Sequence, residues 1–279
     1  MRRLRIPLLQ NSRAVSYSIS AIILTATTIA LVLAASIYAY QILEQQRGAA
    51  EFDIAKESIL AFNDALENIA WKPGAVRSSR FSIEYGYLQL IPDGIEDSND
   101  VIITAVVDSN PSTTLYNDTT GFLKYFLGTN YVSFGQGYES YILGNNDTLV
   151  VGSTDSYGRA VVEQQPQHAG LVTITLDYRV RAMRTSVVDV NGTSVNYVDI
   201  WIIKLIAMET VTNPWSFIHD FDLKARCLGV QTTSIEDQVQ NSATISVQIG
   251  SETSPPENIS LETGKVIFNI IVAEVQVSD

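Results

Sequence analysis

The pattern of hydrophobic and polar positions changes character twice along this chain. From Ala14 to Leu43, AVSYSISAIILTATTIALVLAASIYAYQIL, residues are apolar on every side of a helix and none is charged. At about 1.5 Å per residue that stretch reaches roughly 45 Å, against a bilayer core of about 30 Å. It is about twice as long as the apolar core of a cleaved secretory signal, and no Pro or Gly interrupts it before Gly48, so it reads as retained. The apolar positions then thin to one stripe: Ile42, Ala49, Phe52, Ile59, Phe62, Leu66 and Ile69 recur at spacings of three, four or seven. Glu44, Arg47, Glu51, Glu57, Asp64 and Glu67 fall on the other faces and are expected in water. Gly48 weakens the helix by ~1 kcal/mol and is a candidate bend. Trp71-Lys72-Pro73-Gly74 is a stop, because Pro73 disfavours helix in the residue before it and Gly74 permits a turn. One helix of about 55 residues is predicted, and its amphipathic half needs a cover.

Beyond Ser79 the period falls to two. Runs rich in Val, Ile, Thr, Tyr and Phe are separated by turn clusters, the pattern of a β domain. Arg80–Tyr85 and Tyr87–Leu90 read as a hairpin closed at Gly86. Val101–Val107 is a strand, and short strands punctuated by glycine follow between Gly121 and Gly158. Three long strands, Leu171–Val187, Ser194–Thr210 and Phe217–Val230, come next, with a tight turn at Asn191-Gly192 between the first two. Ala243–Ile249 and Lys265–Val277 close the chain. Twelve or so strands without intervening helices imply antiparallel sheets packed as a sandwich. The fold class is therefore α+β: one long N-terminal helix, then an all-β antiparallel sandwich over residues 76–279. Val76-Arg77-Ser78 is the joint between them. The sandwich is one unit or two, in the latter case split near Thr154-Asp155-Ser156.

Charge fixes orientation and excludes one class of partner. Arg2, Arg3, Arg5 and Arg13 precede the apolar stretch with no acid among them, which keeps the N-terminus cytoplasmic and sends the β domain outside. The chain has 18 Lys and Arg against 30 Asp and Glu; without those four arginines the remainder carries −16. A surface that acidic argues against nucleic acid as a partner. Cys227 is the one cysteine, so no intrachain disulfide exists and a small buried thiol is the expectation for it.

Catalytic signatures are sparse. His168 lies in a Gln- and Pro-containing loop and His219 beside Asp220, and neither forms a recognisable triad in sequence. There is no zinc-protease motif, phosphate loop or Cys/His metal spacing. No cofactor is expected and the chain is not read as an enzyme. Asp93, Glu96, Asp97 and Asp100 concentrate oxygen in one loop that could take Ca²⁺, but the glycine stands second rather than sixth, and a solvated acidic loop is the simpler reading. Four sequons occur, at Asn117, Asn146, Asn191 and Asn258, each placed by pattern in a turn or loop. Asn191 is equally explained by its turn.

The N-terminus resembles that of archaeal type IV pilins and archaellins. Arg13-Ala14-Val15-Ser16 matches the class III signal peptide, in which a basic residue and then Gly or Ala precede the cut. The resemblance implies a signal peptide over 1–14, cleavage between Ala14 and Val15, and a mature helix over 15–72. Val15-Ser16-Tyr17-Ser18-Ile19-Ser20 is similar to the V-S-P-V-I-A of that family, with Tyr17 in place of Pro, and Trp71–Gly74 with Arg80–Ile83 looks like its helix exit and first hairpin. The likeness covers about the first 90 residues. It implies a prepilin peptidase, a pilus assembly platform, the membrane and further copies of the chain as partners. Independently, Ala21, Thr25, Ala26, Ala30 and Ala34, with Ser18, Ala35 and Ala39, include pairs four apart that let helix backbones approach closely. Two functions follow: a subunit of an extracellular pilus-like filament, adhesive through its sandwich, or a membrane-anchored surface binding protein that never polymerises, stator-like or in contact with an S-layer. An anchored hydrolase is a distant third.

Overall fold

The structure, a computed structural model, describes residues 12–95, 98–108, 110–152, 154–165, 170–207 and 215–278. Glu96, Asp97 and His168 lie outside the described residues. Helix α1 runs unbroken from Ser12 to Ile69, so Gly48 introduces no bend that interrupts it. The chain divides inside that helix into two compact units, Met1–Arg47 and Gly48–Asp279.

In the first unit every described side chain from Tyr17 to Leu43 is exposed. The second unit begins with the amphipathic part of α1. Phe52, Ala55, Ile59, Phe62, Leu66 and Ile69 are fully covered, one stripe at spacings of three and four. Ile42, expected to open the stripe, is 37% exposed. The helix ends as its sequence demands: Lys72 N–H reaches Ile69 C=O, and Gly74 takes a left-handed φ of 82° after Pro73.

Fifteen strands, numbered in chain order, form two sheets among the described residues. The large one has ten strands in the spatial order β5 (Tyr138–Leu143), β7 (Gly158–Gln164), β8 (Leu171–Tyr178), β4 (Phe122–Gly128), β1 (Val76–Ile91), β11 (Trp215–Val239), β15 (Gly264–Ser278), β10 (Thr193–Ala207), β9 (Val180–Val190) and β6 (Leu149–Val150). The small one runs β13 (Glu252–Thr253), β12 (Ser242–Ile249), β2 (Asn99–Val107), β3 (Thr113–Thr120), with β14 (Glu257–Ser260) also paired to β12.

The α+β architecture of helix followed by β domain is the one read from the pattern, and three details differ. Gly86 closes no hairpin; it lies inside β1, which slips register against β11 between Ile83 and Leu88. A Cβ on Gly86 would meet the Tyr125 hydroxyl and the Phe126 carbonyl at 2.5 Å, so close packing rather than a turn requires glycine there. The run Leu171–Val187 is two strands, because Arg179 leaves the ladder to bond the Tyr157 carbonyl. Pairing is mostly antiparallel, but β10 and β15 run parallel from Ser194↔Gly264 to Ala207↔Val277, and β6 pairs β9 parallel. The return that parallel pairing needs is made by β11, which runs antiparallel to β15 on its other side, and the chain then passes through the small sheet before it enters β15.

The question of one sandwich or two resolves into one sheet covered on opposite faces. On β10, Ile203 and Leu205 join the core beneath α1, while Val198, Ile200 and Ile202 join the core beneath the small sheet. On β15 the same alternation sends Ala273, Val275 and Val277 to the helix and Val266, Phe268 and Ile270 to the small sheet. Parallel, in-register pairing keeps the two strands in step. The result is helix, large sheet and small sheet in three layers, with no division near Thr154.

Candidate membrane and assembly segment

Residues 17–43 are long and apolar enough to cross a membrane, which is compatible with anchoring there. Four of their hydroxyls are satisfied inside the helix. Thr25 donates to Ala21 C=O at 2.8 Å, Thr27 to Ile23 C=O at 2.9 Å, Thr28 to Leu24 C=O at 2.8 Å and Ser36 to Val32 C=O at 2.8 Å. No polar group of these four needs water, the condition for a hydrocarbon surround or a close-packed helix bundle. Ala21, Thr25, Ala26, Ala30 and Ala34 are all exposed. At the expected cleavage point, Arg13, Ala14 and Val15 lie in the first turn of α1, of which the backbone alone is described.

The amphipathic part of α1 carries the features that pattern alone misplaces. Glu51 and Glu67, expected in solvent, face the large sheet. Glu51 is 6% exposed, and its carboxylate accepts the N–H groups of Glu84, Tyr85 and Gly86 at 2.7, 2.8 and 2.9 Å and the Tyr125 hydroxyl at 2.8 Å. Burial and that hydrogen bond push the Tyr125 hydroxyl far above its ordinary value. Glu67 accepts from Ser156 Oγ at 2.5 Å, Gly158 N at 3.0 Å and Asn63 Nδ2 at 3.2 Å. The one sequence signal was Gly86, a glycine inside a strand pattern, which marks a bulge or a close approach as readily as a turn. At the helix exit Cys227 is buried in the β11 bulge, its thiol donating to Ala70 C=O at 3.1 Å, and burial pushes the thiol up. The buried-thiol expectation holds, and an unionised thiol is a poor nucleophile.

The remaining candidates separate in space. Asp93 stands 3.6 Å from Lys204 Nζ, and Asp100 is exposed on β2. Among the described residues no three His, Cys, Asp or Glu side chains are grouped to hold a metal. His219 is exposed at a left-handed φ of 68°, and its neighbour Asp220 is bound to Arg80 at 3.1 Å. Asn191-Gly192 makes the two-residue turn between Val190 and Thr193, at φ of 54° and 79°. Asn117 and Asn258 occupy strands β3 and β14 rather than loops, both exposed. Asn146 is exposed, but its partner Thr148 is fully buried, donating to Val247 C=O at 2.7 Å.

A polar cleft of about 600 Å³ opens beside that loop, lined by Asn145, Asp147, Asp155, Arg179 and Glu257 among others. Arg179 donates to Asn145 Oδ1 at 2.8 Å and to Ser156 C=O at 2.6 Å, and burial pulls its guanidinium below the ordinary value. No protein-family model, curated protein or solved structure matches the chain.

Proposed function

We propose that the chain is a structural subunit of an extracellular filament of the archaeal type IV pilus kind, adhesive through its β domain. In this reading prepilin peptidase cuts between Ala14 and Val15, the apolar part of α1 holds the subunit in the membrane, and an assembly platform then bundles that segment with copies of itself. The observation that carries it is the contrast within α1: residues 17–43 lie uncovered, lined with small residues and without an unsatisfied hydroxyl among Thr25, Thr27, Thr28 and Ser36, while the stripe from Phe52 onward is spent on the domain's own core. A lone anchor needs about 20 apolar residues; the excess length and the four-apart alanines suit a helix bundle.

The polar cleft beside Arg179 favours a second reading, a membrane-anchored binding module that stays monomeric. Electron microscopy of surface material sheared from cells separates the two. Under the filament reading wild-type preparations contain filaments of this subunit. Ala26→Leu or Ala30→Leu abolishes them while membrane insertion persists, because leucine is favourable in lipid but holds helix backbones apart. Wild-type material without such filaments makes the anchored module the better reading.

A further inference from the structure

Two arginines of the β domain are almost equally buried and very differently met. Arg159 is 4% exposed and Arg179 is 5% exposed. Arg159 has carboxylates to hold it, Asp177 of β8 and Glu252 of β13. Arg179 has neutral oxygens only: Nη1 donates to Asn145 Oδ1, Nη2 donates to Ser156 C=O, and Nε, closed off from water, has no partner. Among the described residues no carboxylate is bonded to it, and Asp147 and Asp155 act on its charge only from a distance. A buried charge without a bonded counter-ion is one of the costlier features a fold can carry.

The break between β8 and β9 fixes Arg179 in place. Its own N–H goes to Tyr157 C=O at 2.8 Å and the next, that of Val180, to Thr148 C=O at 3.0 Å, so the break is tied to the loops on both sides of the cleft. Gly144 lies against the guanidinium: a Cβ there would stand 3.1 Å from Arg179 Cζ, and its φ of 70° favours glycine. Asn145 is steadied in turn by Asp147, which accepts from Asn145 Nδ2 and donates its N–H to Oδ1. The cleft of about 600 Å³ that Arg179 lines is the open space from which a counter-ion can reach it. Two further carboxylates of that cleft, Asp155 and Glu257, are exposed and have no hydrogen-bond partner among the described residues. Together with Asp147 they outnumber the single guanidinium, so a ligand that is only an anion is repelled as it approaches.

We infer that the cleft binds a small zwitterion of the amino acid class, its carboxylate on Arg179 and its ammonium on Asp155 and Glu257. A guanidinium offers its N–H groups in a planar fork that matches a carboxylate, and Arg179 has donors left over after Asn145 and Ser156. The ligand carboxylate supplies the counter-charge that Asp177 and Glu252 give Arg159, and the ammonium offsets the acidic rim. A ligand with only one of the two groups satisfies half of the site and worsens the charge balance of the other half. Space beyond the two charged groups is left for the ligand's side chain.

The inference deepens the binding reading of this cleft and does not depend on whether α1 polymerises. Isothermal titration calorimetry of the full chain in detergent, with each of the common L-amino acids as probe, should find at least one that binds. Its N-acetyl and amide derivatives, which keep only the carboxylate or only the ammonium, should each bind roughly tenfold or more weakly. Arg179→Met should abolish binding. Asp155→Asn with Glu257→Gln changes two exposed side chains and leaves the contacts of Arg179 in place. That double variant should weaken the free amino acid and tighten the N-acetyl form, because the repulsion of the rim is gone. Silence of every probe on the native, cooperatively unfolding chain overturns the inference and leaves filament formation standing. An N-acetyl form that binds the native chain as tightly as the free amino acid overturns the zwitterion and leaves a plain anion site. Binding unchanged in the double variant puts the amino acid elsewhere on the chain and overturns the inference as well.

Discussion

On one face of the ten-stranded sheet α1 is fastened by carboxylates that accept backbone N–H groups; on the other, the small sheet is fastened by ion pairs between side chains. Glu51 reaches three consecutive N–H groups where β1 slips register against β11, and Glu67 takes the Gly158 N–H at the start of β7. Across the sheet, Arg159 of β7 grips Asp177 at its register position on β8 and reaches Glu252 of β13. Lys204 of β10 holds Asp118 of β3 and Asp93. A helix uses its backbone groups internally and cannot extend a ladder, so where the strand beneath it bulges, a side chain must satisfy the freed donors. Two stacked sheets meet mainly through side chains, and at Val247 C=O, Leu149 N–H and Leu205 N–H, where a strand's backbone takes part here, its partner is a side-chain hydroxyl. Losses should therefore be irreplaceable on the helix face and replaceable on the other.

Glu51→Ala gives the largest effect. It strands three N–H groups and the Tyr125 hydroxyl at a site 6% exposed. Four donors at about 1–3 kcal/mol each, partly rehydrated, put the loss on the order of 5 kcal/mol in chemical unfolding of the full chain in detergent. Glu51→Gln keeps one acceptor oxygen and should lose about half of that. A loss under ~1 kcal/mol for Glu51→Ala would mean water replaces the carboxylate freely.

Arg159→Ala should cost about 3–5 kcal/mol, because Asp177 is left buried without its partner. Burial alone pulls the Arg159 guanidinium down, and Asp177 and Glu252 more than reverse that. The double variant Arg159→Met with Asp177→Leu should recover most of the loss, to within about 1–2 kcal/mol of native, since a buried ion pair and a packed apolar pair are close in worth. If the double variant unfolds as readily as the single, the small-sheet face is as irreplaceable as the helix face.

How much of this was legible follows from the same contrast. Hydrophobic period showed the helix, its stripe from Phe52 to Ile69, and β2, β10, β12 and β15 to within a few residues, because apolar burial acts on one element at a time, whereas β11 runs on to Val239, past the expected end at Val230. The Asn191-Gly192 turn was equally local. Glu51 and Glu67 were misplaced because a carboxylate on a helix reads as solvated until the bulge opposite it is known. That bulge depends on β1, β4 and β11 meeting, and Gly86 alone read as a turn. The parallel pairing of β10 with β15 was invisible for a similar reason: each alternates cleanly, and no residue in either strand records its neighbour's direction. The apolar first part of α1 was the most legible stretch, since lack of charge over residues 14–43 needs no tertiary context.

Gly48→Ala sets two effects against each other on the helix face. Propensity favours alanine by about 1 kcal/mol within a helix. The added Cβ, however, would stand 2.4 Å from Tyr131 Cδ1 and 2.8 Å from its Cβ, the root of that side chain rather than its tip. Tyr131 also packs on Tyr85 at 5.1 Å between ring centroids, so it has little room to retreat. Overpacking of about 1–3 kcal/mol should win, giving a net loss of roughly 1 kcal/mol. A stabilised Gly48→Ala variant would show that the Tyr131 loop yields and that the helix face is held by its carboxylates alone.

The smallest effect lies on the other face and is read through pH. Burial pushes the Asp118 carboxyl up, but the hydrogen bond from Lys204 and the Thr119 N–H outweigh it and hold it below the usual carboxylate range. A carboxyl depressed in the folded state contributes stability that is fully present above its unfolded value, near pH 4, and is lost as pH falls through the folded value. Asp118 is 44% exposed, so solvent screens the pair and Lys204→Met should cost less than about 1 kcal/mol at pH 7. The gap between native and variant should narrow as pH falls below about 4 and close once Asp118 is protonated in both folded and unfolded chains. Unfolding midpoints measured from pH 7 to pH 2 test this. A gap that stays constant to pH 2 would assign the role of Lys204 to its methylene stem packing between the sheets, and the ion pair would drop out of what fastens this face.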